Sequence, residues 1–130
     1  MYKYNDGGRS KYFKAKDVRD CVVRAIAIAT KLDYKVVYDM CTKMTGITPR
    51  NGFPVKDTKT LMKKLGGEWV ACMSIGTGCK THLKTEELPM GNIICRTSGH
   101  LVAVIDGIIE DTFDASRNGT RCVYGYWKFK

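Results

Sequence analysis

The stretch DCVVRAIAIAT, residues 20–30, predicts a buried helix with a cysteine in its first turn. Asp20 is a residue type that caps helix N-termini, where its carboxylate accepts hydrogen bonds from the unpaired amides of the first turn. Cys21 then lies where those free N–H groups and the helix dipole favour an anion. Apolar residues occupy most of the circumference, so we expect the helix to pack on several sides. A thiol at the head of a central helix is typical of a stabilised thiolate nucleophile, although most cysteines are small buried packing residues.

Length and composition indicate a single globular domain that spans residues 1–130. Of the 130 residues, 44% are hydrophobic and 27% are charged, which is ordinary for a chain that builds its own hydrophobic core. No apolar run approaches the roughly 20 residues of a membrane-spanning helix, so no membrane contact is expected. Residues 1–17 are polar and basic and lack the apolar segment of a signal peptide, which predicts a cytoplasmic protein.

The cysteines do not form a zinc-binding pattern, because none lies in a CxxC pair and no histidine stands at zinc-finger spacing. We therefore expect no metal and no other cofactor. Without a secretory signal, free thiols are expected instead of disulfides. The six cysteines are Cys21, Cys41, Cys72, Cys79, Cys95 and Cys122.

The net charge of +9, from 22 basic and 13 acidic residues, raises the question of an acidic partner such as nucleic acid. The basic residues are spread along the chain, however, and the lysines of residues 56–64 fall on a predicted helix with an apolar opposite face. No stripe of aromatic and basic residues typical of a nucleic-acid-binding module is present, so nucleic acid is not the expected partner. Arg24 is the one charge inside the Cys21 helix, and we expect it to pair with Asp17 or Asp20.

Helical patterns precede strand patterns along the chain, which predicts an α+β fold and not alternating βαβ units. After an extended or irregular segment over residues 1–19 and the Cys21 helix, further helices are expected at about residues 34–45 and 55–65. We expect the Cys21 helix to pack on an antiparallel sheet that follows these helices. The predicted strands are residues 69–73, 92–96, 100–105, 108–113 and 121–129.

The pair Asp106-Gly107 between two apolar strands is a strong signal for a two-residue hairpin loop, and such a loop fixes the strand pairing. Counting back from this loop places His100 and Asp111 on one side of the sheet as diagonal neighbours, within reach of a hydrogen bond. Asp114 follows the last facing pair, and regular alternation aims it at the opposite side. It remains the alternative partner of His100 if the strand bends there.

Together these residues supply the parts of a Cys-His-Asp nucleophilic site. Cys21 is the candidate nucleophile. His100 is the candidate base, which raises the thiolate fraction and later protonates the leaving group. Asp111 is placed to fix the tautomer of the imidazole and to stabilise its protonated form.

The motifs DCVVRAIA at residues 20–27, GHLVAVIDG at residues 99–107 and EDT at residues 110–112 resemble those of papain-like cysteine peptidases. The closest similarity is to the bacteriocin-processing leader peptidases, in which a cysteine helix, a histidine strand and a later aspartate follow in the same order. The resemblance implies a papain-like domain with Cys21, His100 and Asp111 as its catalytic triad, that is, a cysteine protease or related hydrolase.

The chain as a whole is also similar to a small protein encoded by tailed bacteriophages. This similarity includes NDGGR at residues 5–9, the whole stretch at residues 20–30 and YGYW at residues 124–127. It implies a viral protein that acts in the cytoplasm of a bacterial host cell or is carried in the virion, with a peptide or protein substrate from the host or the phage.

One position departs from the papain-like pattern. Those enzymes place a glutamine shortly before the cysteine to help form the oxyanion hole, whereas the corresponding residue here is Ala15 and the chain contains no glutamine. The backbone N–H of Cys21 remains a donor. A second donor would come from Asn5, from Arg19, from a backbone amide or from a basic side chain, with Asp20 as a supporting residue.

Two function classes follow from these observations. The first is a cysteine-dependent hydrolase or acyl-transferase that acts on a peptide, isopeptide or amide bond. The alternative is a catalytically weak papain-like scaffold that binds a host protein or nucleic acid through its basic surface. A thiol of low pKa at Cys21 favours the first class, and an inert thiol favours the second.

Overall fold

The computed structural model describes residues 1–14, 19–50, 52–73 and 76–130. These residues form three α-helices packed on one six-stranded sheet, the α+β class that the order of sequence patterns predicts. The helices are α1 (Cys21–Thr30), α2 (Tyr34–Thr45) and α3 (Val55–Lys64). The strands are β1 (Tyr2–Tyr4), β2 (Glu68–Ala71), β3 (Asn92–Thr97), β4 (His100–Ile105), β5 (Ile108–Asp111) and β6 (Gly125–Phe129).

The sheet has the order β1-β5-β4-β3-β6-β2 and is mixed. All neighbouring strands are antiparallel except β1, which pairs with β5 in parallel, with Tyr2 opposite Ile109 and Tyr4 opposite Asp111. The expectation of a purely antiparallel sheet is therefore wrong at this edge. The physical reason is that β1 is short and its three residues are exposed, so it carries no apolar alternation that marks a strand.

The β4–β5 hairpin has the register that the Asp106-Gly107 loop predicts, with residues 103–105 facing residues 108–110. The strand β5 ends at Asp111, however, and the closing strand β6 begins only at Gly125. Residues 112–120 turn instead of continuing the ladder, and the segment that follows pairs first with residues near His82 before β6 begins. Part of this turn is a local hydrogen bond in which the Ser116 N–H donates to the Asp114 carboxylate at 3.0 Å.

The helix α1 lies at the centre of the core, and every residue from Val22 to Ala29 is buried. It contacts strands β4, β3 and β5 on one side and α2 on another, which agrees with a helix that is apolar around most of its circumference. Within the described part of the chain, no helix has the length and apolar character needed to cross a membrane.

Two of the cysteines expected to be free form a disulfide, Cys79–Cys122, with Cα atoms 5.7 Å apart. Their segments lie side by side because His82 and Cys122 form an antiparallel bridge outside the main strands. Such a contact between distant segments leaves no local pattern in the sequence. The remaining cysteines, Cys21, Cys41, Cys72 and Cys95, are free.

The disulfide gives the first testable prediction. Because it closes a loop of 43 residues, its removal is expected to lower the free energy of unfolding by about 2–4 kcal/mol. The measurement is denaturant unfolding of the wild type and of a Cys79→Ser/Cys122→Ser double variant, each with and without dithiothreitol. The reductant should lower the stability of the wild type to that of the variant and leave the variant unchanged. A wild type insensitive to the reductant would contradict the cross-link.

Candidate active site

Cys21 is the first residue of α1 and is partly exposed. Asp20 occupies the N-cap position, but its carboxylate makes no capping hydrogen bond, so the predicted capping role is wrong. The carboxylate is buried instead, where Arg24 pairs with it, the Tyr34 hydroxyl donates to it at 2.5 Å and Arg9 lies at 3.3 Å. As a result, the Asp20 side chain does not occupy the amides of the first turn.

His100 begins β4 and makes the hydrogen bond to Asp111 that the hairpin register predicts. The distance from His100 Nε2 to Asp111 Oδ2 is 2.6 Å. Since Nε2 is used by the carboxylate, Nδ1 is the ring nitrogen left for Cys21. The ring of Phe113 contacts the imidazole in a tilted arrangement, with 5.2 Å between the ring centroids.

The Asp111 carboxylate is fixed from several directions and is only 3% exposed. Its Oδ1 accepts from the Thr112 N–H at 2.7 Å and lies 3.3 Å from Arg24 Nη2, while Oδ2 binds His100. The Asp111 carbonyl oxygen accepts from the Asn5 N–H at 2.9 Å, which ties this strand end to the segment after β1. The carboxylate is therefore held in one orientation toward the imidazole.

Arg24 connects the head of α1 to the end of β5, because its guanidinium contacts both Asp20 and Asp111. Sequence reasoning anticipated the pairing with Asp20 but missed the one with Asp111; Asp17, the other partner considered, lies outside the described residues. The signal was present in the sequence, since a lone arginine in an apolar helix requires a buried partner. The contacts of Arg9 and Tyr34 with Asp20 carried no comparable signal.

Burial on its own opposes ionisation of Cys21, but other interactions outweigh it and lower the pKa of the thiol. These are a hydrogen bond from His100, a hydrogen bond from the Leu101 backbone and the positive charges of His100 and Arg24. The site therefore favours a thiolate.

The pKa values of His100 and Asp111 also shift, and both shifts favour the charged form of the side chain. Burial disfavours the charged imidazole, but hydrogen bonds to Asp111 and Cys21 raise the pKa of His100 to about 9. Burial likewise opposes ionisation of Asp111, yet the hydrogen bond from His100 leaves its pKa below the ordinary value. These shifts together favour a thiolate–imidazolium pair at neutral pH.

The other free cysteines differ from Cys21. Burial raises the pKa of Cys41 to about 12, and burial also raises the pKa values of Cys72 and Cys95. Of the free thiols, Cys21 is the one whose pKa is lowered. The physical difference is that Cys21 has cationic and hydrogen-bonding partners that offset its burial.

A cavity of about 640 Å³ opens beside Cys21 and His100. Its volume lies in the range of ordinary ligand sites. Its apolar lining comes from Val22, Phe53, Val55, Leu101, Phe113 and Trp127. The thiol is therefore placed where a bound molecule can be held against it.

Two other predicted site residues are not part of this arrangement. The Asn5 side chain donates to Glu110 Oε1 at 2.9 Å and accepts from the Gly7 N–H at 2.8 Å, and it does not line the cavity. Its expected role as an oxyanion donor is therefore not supported, because these contacts occupy it elsewhere. Asp114 is exposed and accepts from Ser116, so it is not the partner of His100.

Arg19, the other residue named as an oxyanion donor, lines the cavity. Ala15, which stands where the papain-like pattern has its glutamine, lies outside the described residues. Across the part of the chain that the structure describes, no group of three or more histidine, cysteine, aspartate or glutamate side chains is arranged to hold a metal ion. What the arrangement offers chemically is a thiolate and a proton donor together at the head of a helix.

Comparisons of the chain with protein-family models, with curated proteins and with solved structures found no match.

The pKa shifts predict the pH dependence of Cys21 alkylation. As pH rises, the rate with iodoacetamide should increase with a midpoint below about 8.5, the pKa of an unperturbed cysteine. Cys72, which is also partly exposed, should react more slowly at neutral pH because its pKa is raised. In His100→Gln the midpoint should rise above the ordinary value, because the burial remains while the imidazolium is lost. Mass spectrometry of labelled peptides measures each site, and a wild-type midpoint at or above 8.5 would contradict the thiolate–imidazolium pair.

Arg24 gives a further prediction, as a positioning residue that acts through Asp20 and Asp111. Arg24→Met removes a buried cation from two buried carboxylates, Asp20 and Asp111, and should lower the free energy of unfolding by about 3–5 kcal/mol. It should also raise the pH midpoint of Cys21 alkylation, because the cation that stabilises both Asp111 and the thiolate is gone. Arg24→Lys keeps the charge but not the two-pronged contact, so the midpoint should return toward the wild type while stability stays reduced. A midpoint in Arg24→Met equal to that of the wild type would restrict Arg24 to a structural role.

Proposed function

We propose that this protein is a cysteine-dependent hydrolase or acyl-transferase that acts on a peptide, isopeptide or amide bond. The observation that carries the proposal is the 2.6 Å hydrogen bond between His100 and Asp111 next to a helix-head thiol with a lowered pKa. A core cysteine needs no such partners. A buried imidazole held by a carboxylate beside a thiol is the arrangement that activates a nucleophile.

In the first half of the reaction, the Cys21 thiolate attacks the carbonyl carbon of the substrate and a carbon–sulfur bond forms. The carbonyl oxygen takes up the displaced electron pair, and the backbone N–H of Cys21 at the uncapped head of α1 donates to the resulting oxyanion. His100 then transfers its Nδ1 proton to the leaving nitrogen. The carbon–nitrogen bond breaks, the amine leaves and a thioester remains on Cys21.

In the second half, His100 accepts a proton from the incoming nucleophile. If that nucleophile is water, its oxygen attacks the thioester, the carbon–sulfur bond breaks and a carboxylic acid is released. If it is an amine, the acyl group is transferred to a new nitrogen. In both cases Cys21 returns to the thiolate and His100 to the imidazolium, so the pair is ready for another cycle.

Asp111 serves this cycle by holding the imidazole through Nε2, which keeps Nδ1 directed to the sulfur. It also stabilises the imidazolium, and Arg24 helps to keep Asp111 ionised. We further propose that the domain is papain-like, because a cysteine helix, a histidine strand and an aspartate strand end follow in the order of that family. From the resemblance to phage proteins, we propose that the substrate is a peptide or protein of the bacterial host or of the phage.

The test is cleavage of a proteome-derived peptide library, read as new peptide termini by mass spectrometry. Cys21→Ala should abolish the cleavage. Asp111→Asn should lower it by about 10²–10⁴-fold, because the amide favours the wrong imidazole tautomer. The matched control Asp114→Asn should stay within about twofold of the wild type, because Asp114 is exposed and its carboxylate accepts from the Ser116 N–H and not from His100.

Two results would contradict the proposal. Cleavage that persists in Cys21→Ala would assign it to a contaminant, and equal losses in the two aspartate variants would remove Asp111 from its orienting role. A Cys21 thiol that is inert in the folded protein, together with salt-resistant binding of nucleic acid, would favour the binding scaffold instead.

A further inference from the structure

The charged groups that line the cavity beside Cys21 are unbalanced. Three arginines, Arg19, Arg24 and Arg96, line it, whereas no aspartate or glutamate does so among the described residues. The charge of Arg24 is already offset by its contacts with Asp20 and Asp111. The cavity is therefore electropositive through Arg19 and Arg96.

Arg96 is the deeper of these two cations. It lies on β3, an inner strand between β4 and β6, with Leu101 and Gly125 as its cross-strand neighbours. Side chains alternate along a strand, so Arg96 shares the helix-facing side of the sheet with Ile94, which belongs to the core under α1. The position is half-buried, while Arg19, next to the helix head, is exposed.

Neither Arg19 nor Arg96 takes part in an ion pair with another described residue. A guanidinium that is partly removed from water without an anionic partner attracts one, and its planar fork matches a carboxylate. Tyr124 and Trp127 line the same cavity and supply aromatic surface for the remainder of a bound chain.

We propose that this cavity selects an acidic peptide segment and that Arg96 pairs with a carboxylate of that segment. The inference rests on the proposed function and deepens it by naming the substrate class. Arg19 at the cavity edge adds to the attraction. A basic segment is disfavoured, because it meets like charges in a partly desolvated site.

The first experiment compares two alkylating agents at Cys21, iodoacetate and iodoacetamide, which differ by one carboxylate. The ratio of their rate constants is divided by the same ratio for N-acetylcysteine amide, a neutral free thiol, so that intrinsic reactivity cancels. We expect a normalised ratio of at least about 3 at low ionic strength, falling toward 1 near 1 M salt as the charges are screened. A normalised ratio of 1 at low salt would overturn the proposal.

Variants then assign the effect to Arg96. Arg96→Gln should lower the normalised ratio about threefold or more, and Arg96→Lys should retain most of it. Lys128→Gln is the matched control, because Lys128 is exposed and faces Ile93 on the opposite side of the sheet from the cavity. It removes the same unit of charge and should leave the ratio within about 1.5-fold. Equal effects of Arg96→Gln and Lys128→Gln would reduce the result to net charge and overturn the assignment.

The second experiment identifies the source of the carboxylate. Peptides with a C-terminal amide, a cysteine-directed electrophile and either glutamate or glutamine beside it are compared in the rate of Cys21 modification. A third peptide carries glutamine and a free C-terminal carboxylate. Faster modification by the glutamate peptide assigns an internal acidic residue, and faster modification by the third assigns a chain terminus. Equal rates for all three peptides would overturn the proposal.

The two proposals fail in different ways. If Cys21 is not a nucleophile, its alkylation by neutral iodoacetamide is slow and independent of His100, whatever the charge preference. If the acidic preference is wrong, iodoacetamide alkylation remains fast and dependent on His100, while the normalised iodoacetate ratio stays at 1.

Discussion

The contact of Arg24 with two buried carboxylates, Asp20 and Asp111, is the interaction on which the site depends. A buried guanidinium is costly unless it is paired, and each carboxylate is costly for the same reason. Since Asp20 adjoins the head of α1 and Asp111 ends β5, satisfying these charges fixes the helix relative to the sheet. That placement brings the thiol of one element to the imidazole of another. The geometry of the nucleophilic pair is therefore a consequence of how the buried charges are satisfied.

The same contact explains why the Asp20 side chain does not cap the N-terminus of α1. An aspartate at the N-cap ordinarily stabilises a helix by about 1 kcal/mol through its side chain. Here the Asp20 carboxylate turns inward to Arg24 and Tyr34, so that stabilisation is given up. The Asp20 carboxylate therefore does not compete for the first-turn amides with the anionic oxygen of the proposed acyl transfer. A capping carboxylate would place a negative charge where that oxygen develops, so the inward orientation of Asp20 fits the proposed chemistry.

Sequence reasoning was reliable where the signals were local. The Asp106-Gly107 loop was enough to derive the hairpin register, and from it the His100–Asp111 hydrogen bond, because a two-residue turn leaves one pairing. What was missed depends on contacts between distant segments: the parallel pairing of β1, the Cys79–Cys122 disulfide and the Arg24–Asp111 contact. No spacing along the chain encodes these. The inward orientation of the Asp20 side chain was missed for a different reason. An aspartate just before a helix predicts a capping hydrogen bond, and the sequence does not show that a buried arginine binds the carboxylate instead.

The charged groups of the site fall into two sets, one paired and one unpaired. The paired set activates the thiol, and the unpaired set selects the proposed substrate. Buried and half-buried groups of alternating sign lead to the nucleophile and offset one another. In order they are Arg9, Asp20, Arg24, Asp111, His100 and Cys21. Because this series is balanced, it sets the pKa values of the reacting groups while adding little net field to the cavity. Arg19 and Arg96 have no such partners among the described residues, so their field acts on whatever enters the cavity. A change at Arg96 can therefore alter which segment is bound without altering the protonation of Cys21, whereas a change at Arg24 alters the nucleophile whatever the substrate.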